Sequence, residues 1–147
     1  MADILRNAAA SWSGDLQSGA GTVSTGSEVL TEATVTYPSR FESGTGTNPE
    51  ELIAAAHASC FSMALALGLS RQGHAPQALQ TQATLTLRKD QSGFKITKVH
   101  LAVEGTVTDI TAETFAEAAN QAKENCPVSV LLKPGLEELT LDARLIS

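Results

Sequence analysis

Residues 52–69 read LIAAAHASCFSMALALGL, an apolar stretch with no Asp, Glu, Lys or Arg, whereas much of the remaining chain alternates apolar with polar positions. Asn48 can cap this stretch, Pro49 suits a first helical position, and Glu51 falls three residues after the cap as in a capping box. The pattern predicts a helix from Pro49 that ends between Gly68 and Gly73, where Arg71 and Pro76 also fall. The Gly-, Ser- and Thr-rich first forty residues predict strands around GTVSTG and ATVTY, joined by turns, with Arg40 in TYPSRFE at a strand end. In TQATLTLRK, Ala83, Leu85 and Leu87 alternate with polar residues, and DQSG turns the chain into FKITKVHLAVEGTV. Phe94 and Ile96 then share one parity while Val99, Leu101 and Val103 share the other, which predicts an antiparallel hairpin with a bulge near Lys98. Residues 111–123 read as a surface helix. CPVSVLLKPG reads as a short helix entered through Pro127 and stopped by Pro134 and Gly135, and EELTLDARLI as a closing strand. Strands, helix, strands, helices, strand make an α+β domain, and one domain accounts for residues 1–147.

The long apolar helix has two further readings. Its length would allow a membrane span, but alanine, serine and histidine dilute its hydrophobicity and amphipathic strands flank it, so a buried core helix is expected. One small sheet covers only one face of such a helix. Either the short later helices complete the cover in a monomer, or a second copy does; the expectation is an obligate homodimer. The net charge of −6, the pI near 4.9 and the scattered ten Lys and Arg offer no phosphate-tracking surface, so neither nucleic acid nor an anionic membrane is an expected partner. The N-terminal MADILRNAAASWSGD lacks a secretory pattern, which points to the cytoplasm. There, two cysteines are buried filler or redox chemistry and not a disulfide scaffold.

Cys60 sits in mid-helix, beyond the field of the helix N-terminus, so a cation would have to activate it. Arg40 is the only Lys or Arg between Arg6 and Arg71. Glu50 could orient that arginine through a bidentate pair, yet it precedes Cys60 by ten residues, about 15 Å along a continuous helix. If it serves Cys60, the helix breaks or the other subunit supplies the glutamate. The alternative is that Glu50 and Glu51 complement the helix N-terminus. His57, one turn before Cys60, could be a metal ligand, a base or a packed polar residue. Zinc would need two further ligands, and His74, His100 and Cys126 show no short paired spacing, so no metal is expected. Cys126, before Pro127, occupies a predicted N-cap where free N–H groups favour a thiolate. Local sequence does not decide which cysteine attacks, or whether the two meet; for a lone cysteine, a small buried hydrophobe is the default.

The segments GTNPEELIAAAHASCFSMAL and CPVSVLL resemble the two signature segments of the superfamily of osmotically inducible protein C (OsmC) and organic hydroperoxide resistance protein (Ohr). SWSGDLQSGAGTVSTGS and SRFESGTGTNPEEL extend the resemblance over nearly the whole chain and place it on the OsmC branch. The resemblance implies an intertwined α+β homodimer, with antiparallel sheets around long central helices and two interfacial sites. It implies a thiol peroxidase acting on organic hydroperoxides, and less efficiently on hydrogen peroxide, in oxidative and osmotic stress defence. In that reading Cys60 is peroxidatic, Cys126 resolves it, Arg40 assists the thiolate and Glu50 is the arginine's acidic partner. No cofactor is implied, and the reductant is dihydrolipoamide or a lipoylated protein. A dimeric redox sensor forming the same disulfide, and a structural or ligand-binding protein with buried cysteines, are the alternatives from other classes.

Overall fold

Threonine- and valine-bearing stretches near the N-terminus pair as an antiparallel sheet of β1 (Ala8–Ser13), β2 (Ala20–Thr25) and β3 (Ala33–Thr36), with β2 in the middle. The computed structural model describes all 147 residues, Met1–Ser147, in two compact units, Met1–Leu52 and Ile53–Ser147. In the first unit, Asp15 closes the β1–β2 turn by accepting from the Ser18 N–H at 2.7 Å and its hydroxyl at 2.9 Å. A Cβ on Gly21 would lie 2.7 Å from Trp12 Cε3 and 2.2 Å from the Ser11 carbonyl oxygen, so glycine is what lets the Trp12 ring lie against β2.

Arg40 does not end a strand. β3 stops at Thr36, whose hydroxyl accepts from the Ser39 N–H at 3.2 Å while Ser39 Oγ accepts from the Thr36 N–H at 2.8 Å. This reciprocal cap, with Pro38 in the first turn, starts the short helix α1 (Tyr37–Phe41), and Arg40 lies in it. The β-branched run before Tyr37 hides that switch from a strand pattern. Ser39 also donates to the Thr47 carbonyl at 2.8 Å, and its own carbonyl accepts from Asn48 Nδ2 at 3.0 Å, which ties the following loop to α1.

The long helix α2 runs unbroken over Pro49–Arg71. Asn48 Oδ1 caps it by accepting from the Glu51 N–H at 2.7 Å; the Glu51 carboxylate accepts from Thr47 Oγ1 instead of the cap backbone, so only half of the expected box forms. Its length and apolarity would suffice to cross a membrane. Within the second unit, however, His57, Phe61, Leu65 and Leu69, spaced by four, are fully buried. Ala55, Ser59, Met63 and Leu67 form a parallel stripe that is exposed, Met63 at 74% and Leu67 at 51%.

The hairpin of β4 (Ala78–Asp90) and β5 (Gly93–Thr106) turns where Asp90 accepts from Ser92 N–H and Oγ, with Gly93 at φ +120°. Thr86 pairs with Lys98 but Leu87 with Ile96, so Thr97 is the bulged residue and the parity change in the sequence is accounted for. After α3 (Ala112–Asn125), α4 (Pro127–Leu132) and one 3₁₀ turn (Lys133–Gly135), β6 (Glu138–Leu145) joins β5. It joins in parallel, which corrects the expectation of purely antiparallel sheets: the second sheet, β4–β5–β6, is mixed. The physical reason is the helical crossover through α3 and α4, the connection a parallel pair requires.

Val99, Leu101 and Val103 project from β5 into one core with Phe61, Leu65 and Leu69 of α2 and Phe115, Ala118, Ala119 and Ala122 of α3. Residues 111–123 are thus amphipathic, one face buried. A Cβ on Gly105 would fall 2.5 Å from two Phe115 ring carbons, so its absence seats that ring on the sheet. Each fully buried Phe or Leu contributes about 1.5–3 kcal/mol, and this core fixes the faces of α2 and α3 that carry the site.

Candidate active site

Cys126 terminates one helix and starts the next. Its N–H donates to the Ala122 carbonyl at 2.9 Å as the C-cap of α3, while its sulfur accepts from the Ser129 N–H at 3.3 Å as the N-cap of α4. The N-cap position predicted from Pro127 is therefore formed, and it buries the thiol completely. A helix start leaves its first N–H groups without intrahelical acceptors; at α4 the Ser129 N–H donates to Cys126, and the neighbouring Val128 N–H faces Cys60 and favours its thiolate.

Cys60 is half-buried on α2. It lines a cleft of about 700 Å³ together with Met63, Ala64, Leu67, Ala122 and Pro127, a mostly apolar wall between α2 and α3. The Cys126 thiol is a close enough neighbour of Cys60 to raise its pKa, so the structure brings together the two cysteines that local sequence could not connect. Both are free thiols. Burial pushes the Cys60 thiol above its ordinary value; the Val128 N–H pulls it down, and the hydrogen bond and charge of Cys126 push it further up. Within this unit Cys60 thus has one backbone donor favouring the thiolate and no cation among the groups that shift it.

The first unit pairs Arg40 with Glu50. Arg40 Nη2 donates to Glu50 Oε1 at 2.8 Å and Nε to both carboxylate oxygens at 3.2 and 3.3 Å, a forked contact with the glutamate side chain only 12% exposed. The guanidinium carbon lies 5.1 Å from the Phe41 ring centroid. Arg40 also borders an apolar cleft of about 650 Å³ with Trp12, Tyr37, Phe41 and Leu52. Glu51, by contrast, serves the start of α2.

His57 meets neither a metal set nor Cys60 directly. Its Nε2 lies 2.7 Å from Ser129 Oγ, and Ser129 Oγ lies 3.1 Å from Cys126 Sγ. His57 is fully buried, its Nδ1 has no partner, and burial lowers its pKa, which keeps the imidazole neutral at neutral pH. Ser129 carries no motif of its own in the sequence; its place three residues after the Cys126 cap is the one signal for it. His100 lies apart on the sheet, with Nδ1 2.6 Å from Thr140 Oγ1 and Nε2 3.2 Å from Asp142.

The profile of the family described as OsmC-like protein matches residues 42–137. The chain is 48% identical over 144 residues to Peroxiredoxin OsmC of Escherichia coli (strain K12), covering 98% of this chain and 99% of that protein. It is 36% identical over 112 residues to organic hydroperoxide resistance protein OhrB of Bacillus subtilis (strain 168), covering 75% and 79%. The crystal structure of Bacillus subtilis OhrB superposes with a TM-score of 0.74 at 30% identity, over 94% of this chain and 98% of that one. An OsmC-like protein from Mycoplasma pneumoniae shares the fold, with a TM-score of 0.75 at 14% identity, over 99% of this chain and all of that one.

Proposed function

The chain belongs to the OsmC-like protein family and is a thiol peroxidase, and from that premise we propose that Cys60 reduces organic hydroperoxides to alcohols and that Cys126 resolves it. The observation that carries this reading is that two free thiols are neighbours, Cys60 on the wall of an apolar cleft and Cys126 buried at the start of α4. The Cys60 thiolate attacks the outer peroxide oxygen, the O–O bond breaks, and the alkoxide takes a proton to leave as alcohol, with sulfenic acid left on Cys60. Cys126 then displaces water to form the Cys60–Cys126 disulfide. Exchange with an external dithiol, dihydrolipoamide or a lipoylated protein, restores both thiols without a prosthetic group. Such a cycle needs a reducing compartment, and the cytoplasm provides it.

Residues 1–147 act in this reading as a single OsmC-like domain within a homodimer. The exposed apolar stripe of Met63 and Leu67 is a face that a second copy would cover. Along the unbroken α2, Glu50 and Cys60 are separated by ten residues, about 15 Å, so Arg40 and Glu50 of the partner subunit complete each Cys60 site. An arginine there lowers the thiol's pKa and offsets the upward push of burial. Arg40→Gln is expected to slow Cys60 oxidation about tenfold for each unit by which the thiol's pKa rises. That loss should shrink as pH increases, because at high pH the thiol ionises unaided. Peroxide-consumption rates over a pH series check this; an equal loss at every pH would remove Arg40 from the activation of Cys60.

The cleft also sets substrate preference. Each methylene moved from water onto its apolar wall contributes about 0.8 kcal/mol, so kcat/KM for cumene hydroperoxide is expected to exceed that for hydrogen peroxide by about tenfold or more. Steady-state kinetics with excess dithiol is the test. Equal efficiencies would contradict an organic substrate.

A further inference from the structure

The buried chain His57–Ser129–Cys126 has no task in peroxide attack by Cys60 or in exchange with an external dithiol. His57 Nε2 and Ser129 Oγ are 2.7 Å apart, Ser129 Oγ and Cys126 Sγ 3.1 Å, and the Cys126 thiol is the one in reach of Cys60. All three residues are fully buried. A serine hydroxyl has one proton and two lone pairs, so the chain has two orderings. With a thiol at Cys126, its S–H donates to Ser129 Oγ and the hydroxyl donates to His57 Nε2. With a thiolate, Nε2–H donates to Oγ and the hydroxyl donates to sulfur, which the Ser129 N–H also supports at 3.3 Å. The two orderings differ by one proton moved from Cys126 to His57, with no heavy atom displaced.

We propose that His57 and Ser129 are positioning residues for disulfide closure: the Ser129 hydroxyl passes the Cys126 proton to His57 Nε2 as the Cys126 sulfur attacks the Cys60 sulfenic acid. The step balances. The S–S bond forms as the S–O bond breaks, the Cys126 thiol is oxidised and the Cys60 sulfenic acid reduced; hydroxide leaves Cys60 while His57 Nε2 holds the Cys126 proton, and release of that proton to solvent neutralises the hydroxide, so that one water is formed and His57 returns to its neutral form. Water has little access to a fully buried thiol, and this chain replaces it as the proton acceptor. The inference rests on the roles proposed above for Cys60 and Cys126.

Rapid-quench intact mass after one equivalent of cumene hydroperoxide resolves the two steps in the wild type and in Ser129→Ala, Ser129→Thr and His57→Gln. Ser129→Ala and His57→Gln are expected to form the Cys60 oxygen adduct at the wild-type rate but to close the disulfide about ten- to a hundredfold more slowly, the scale of a lost proton acceptor. Ser129→Thr keeps the hydroxyl and should restore closure, which a loss of packing would not predict. Closure in Ser129→Ala and His57→Gln at the wild-type rate would overturn the inference, as would equal slowing of both steps or failure of Ser129→Thr to rescue. No adduct in the wild type would instead overturn the hydroperoxide reaction itself, and this inference with it.

Discussion

Cys60→Ser is expected to abolish hydroperoxide reduction, lowering kcat/KM by about a thousandfold or more, the scale seen when an attacking nucleophile is removed. The reaction needs a polarisable anion that can attack oxygen, and a thiolate supplies it where a serine hydroxyl does not ionise. Nothing near position 60 would rescue serine: neither the Val128 N–H of its own subunit nor an arginine brought to the site can ionise a hydroxyl at neutral pH, and His57 Nε2 is engaged with Ser129. The substitution changes one atom of a half-buried side chain, so thermal unfolding should stay close to wild type while peroxide consumption disappears. Wild-type turnover in this variant would move the chemistry to another residue.

Cys126→Ser has the next largest expected effect, and a different one. Serine is among the preferred N-cap residues, so α4 should still start at Pro127, with the new hydroxyl accepting from the Ser129 N–H in place of the sulfur. Cys60 should therefore still react once, but its sulfenic acid has no neighbouring thiol to condense with. Further hydroperoxide then carries it to sulfinic acid, which an ordinary dithiol does not reverse. The expected result is a normal first turnover followed by inactivation within a few cycles, seen as decaying peroxide consumption with excess dihydrolipoamide. Sustained wild-type turnover would show that Cys126 is not the resolving residue.

Much of this arrangement is legible in the sequence because local chemistry determines it. Asn48 and Pro49 start α2, Pro127 makes Cys126 a cap, and the parity change after Ile96 marks the bulge at Thr97. Other features depend on where the chain returns. β6 reads as a strand from its alternation, but its parallel direction follows from the crossover that delivers it to β5. AAASWS in β1 has little strand signal of its own and is ordered by its pairing with β2. The β-branched run up to Tyr37 reads as a strand that reaches Arg40, but the Thr36–Ser39 cap begins a helix there. In the candidate site, the residue types were visible and their partners were not. His57 and Ser129 meet across 72 residues of sequence, a contact fixed by packing α2 and α4 about one core and by no local pattern.

Whether Cys60 and Cys126 form one redox pair is decided by intact mass of the reduced wild type after one equivalent of cumene hydroperoxide, followed by peptide mapping. Rapid loss of two hydrogens and a single cross-linked peptide joining Cys60 to Cys126 are expected. An unchanged mass, or a stable one-oxygen adduct with no cross-link, would contradict that pairing.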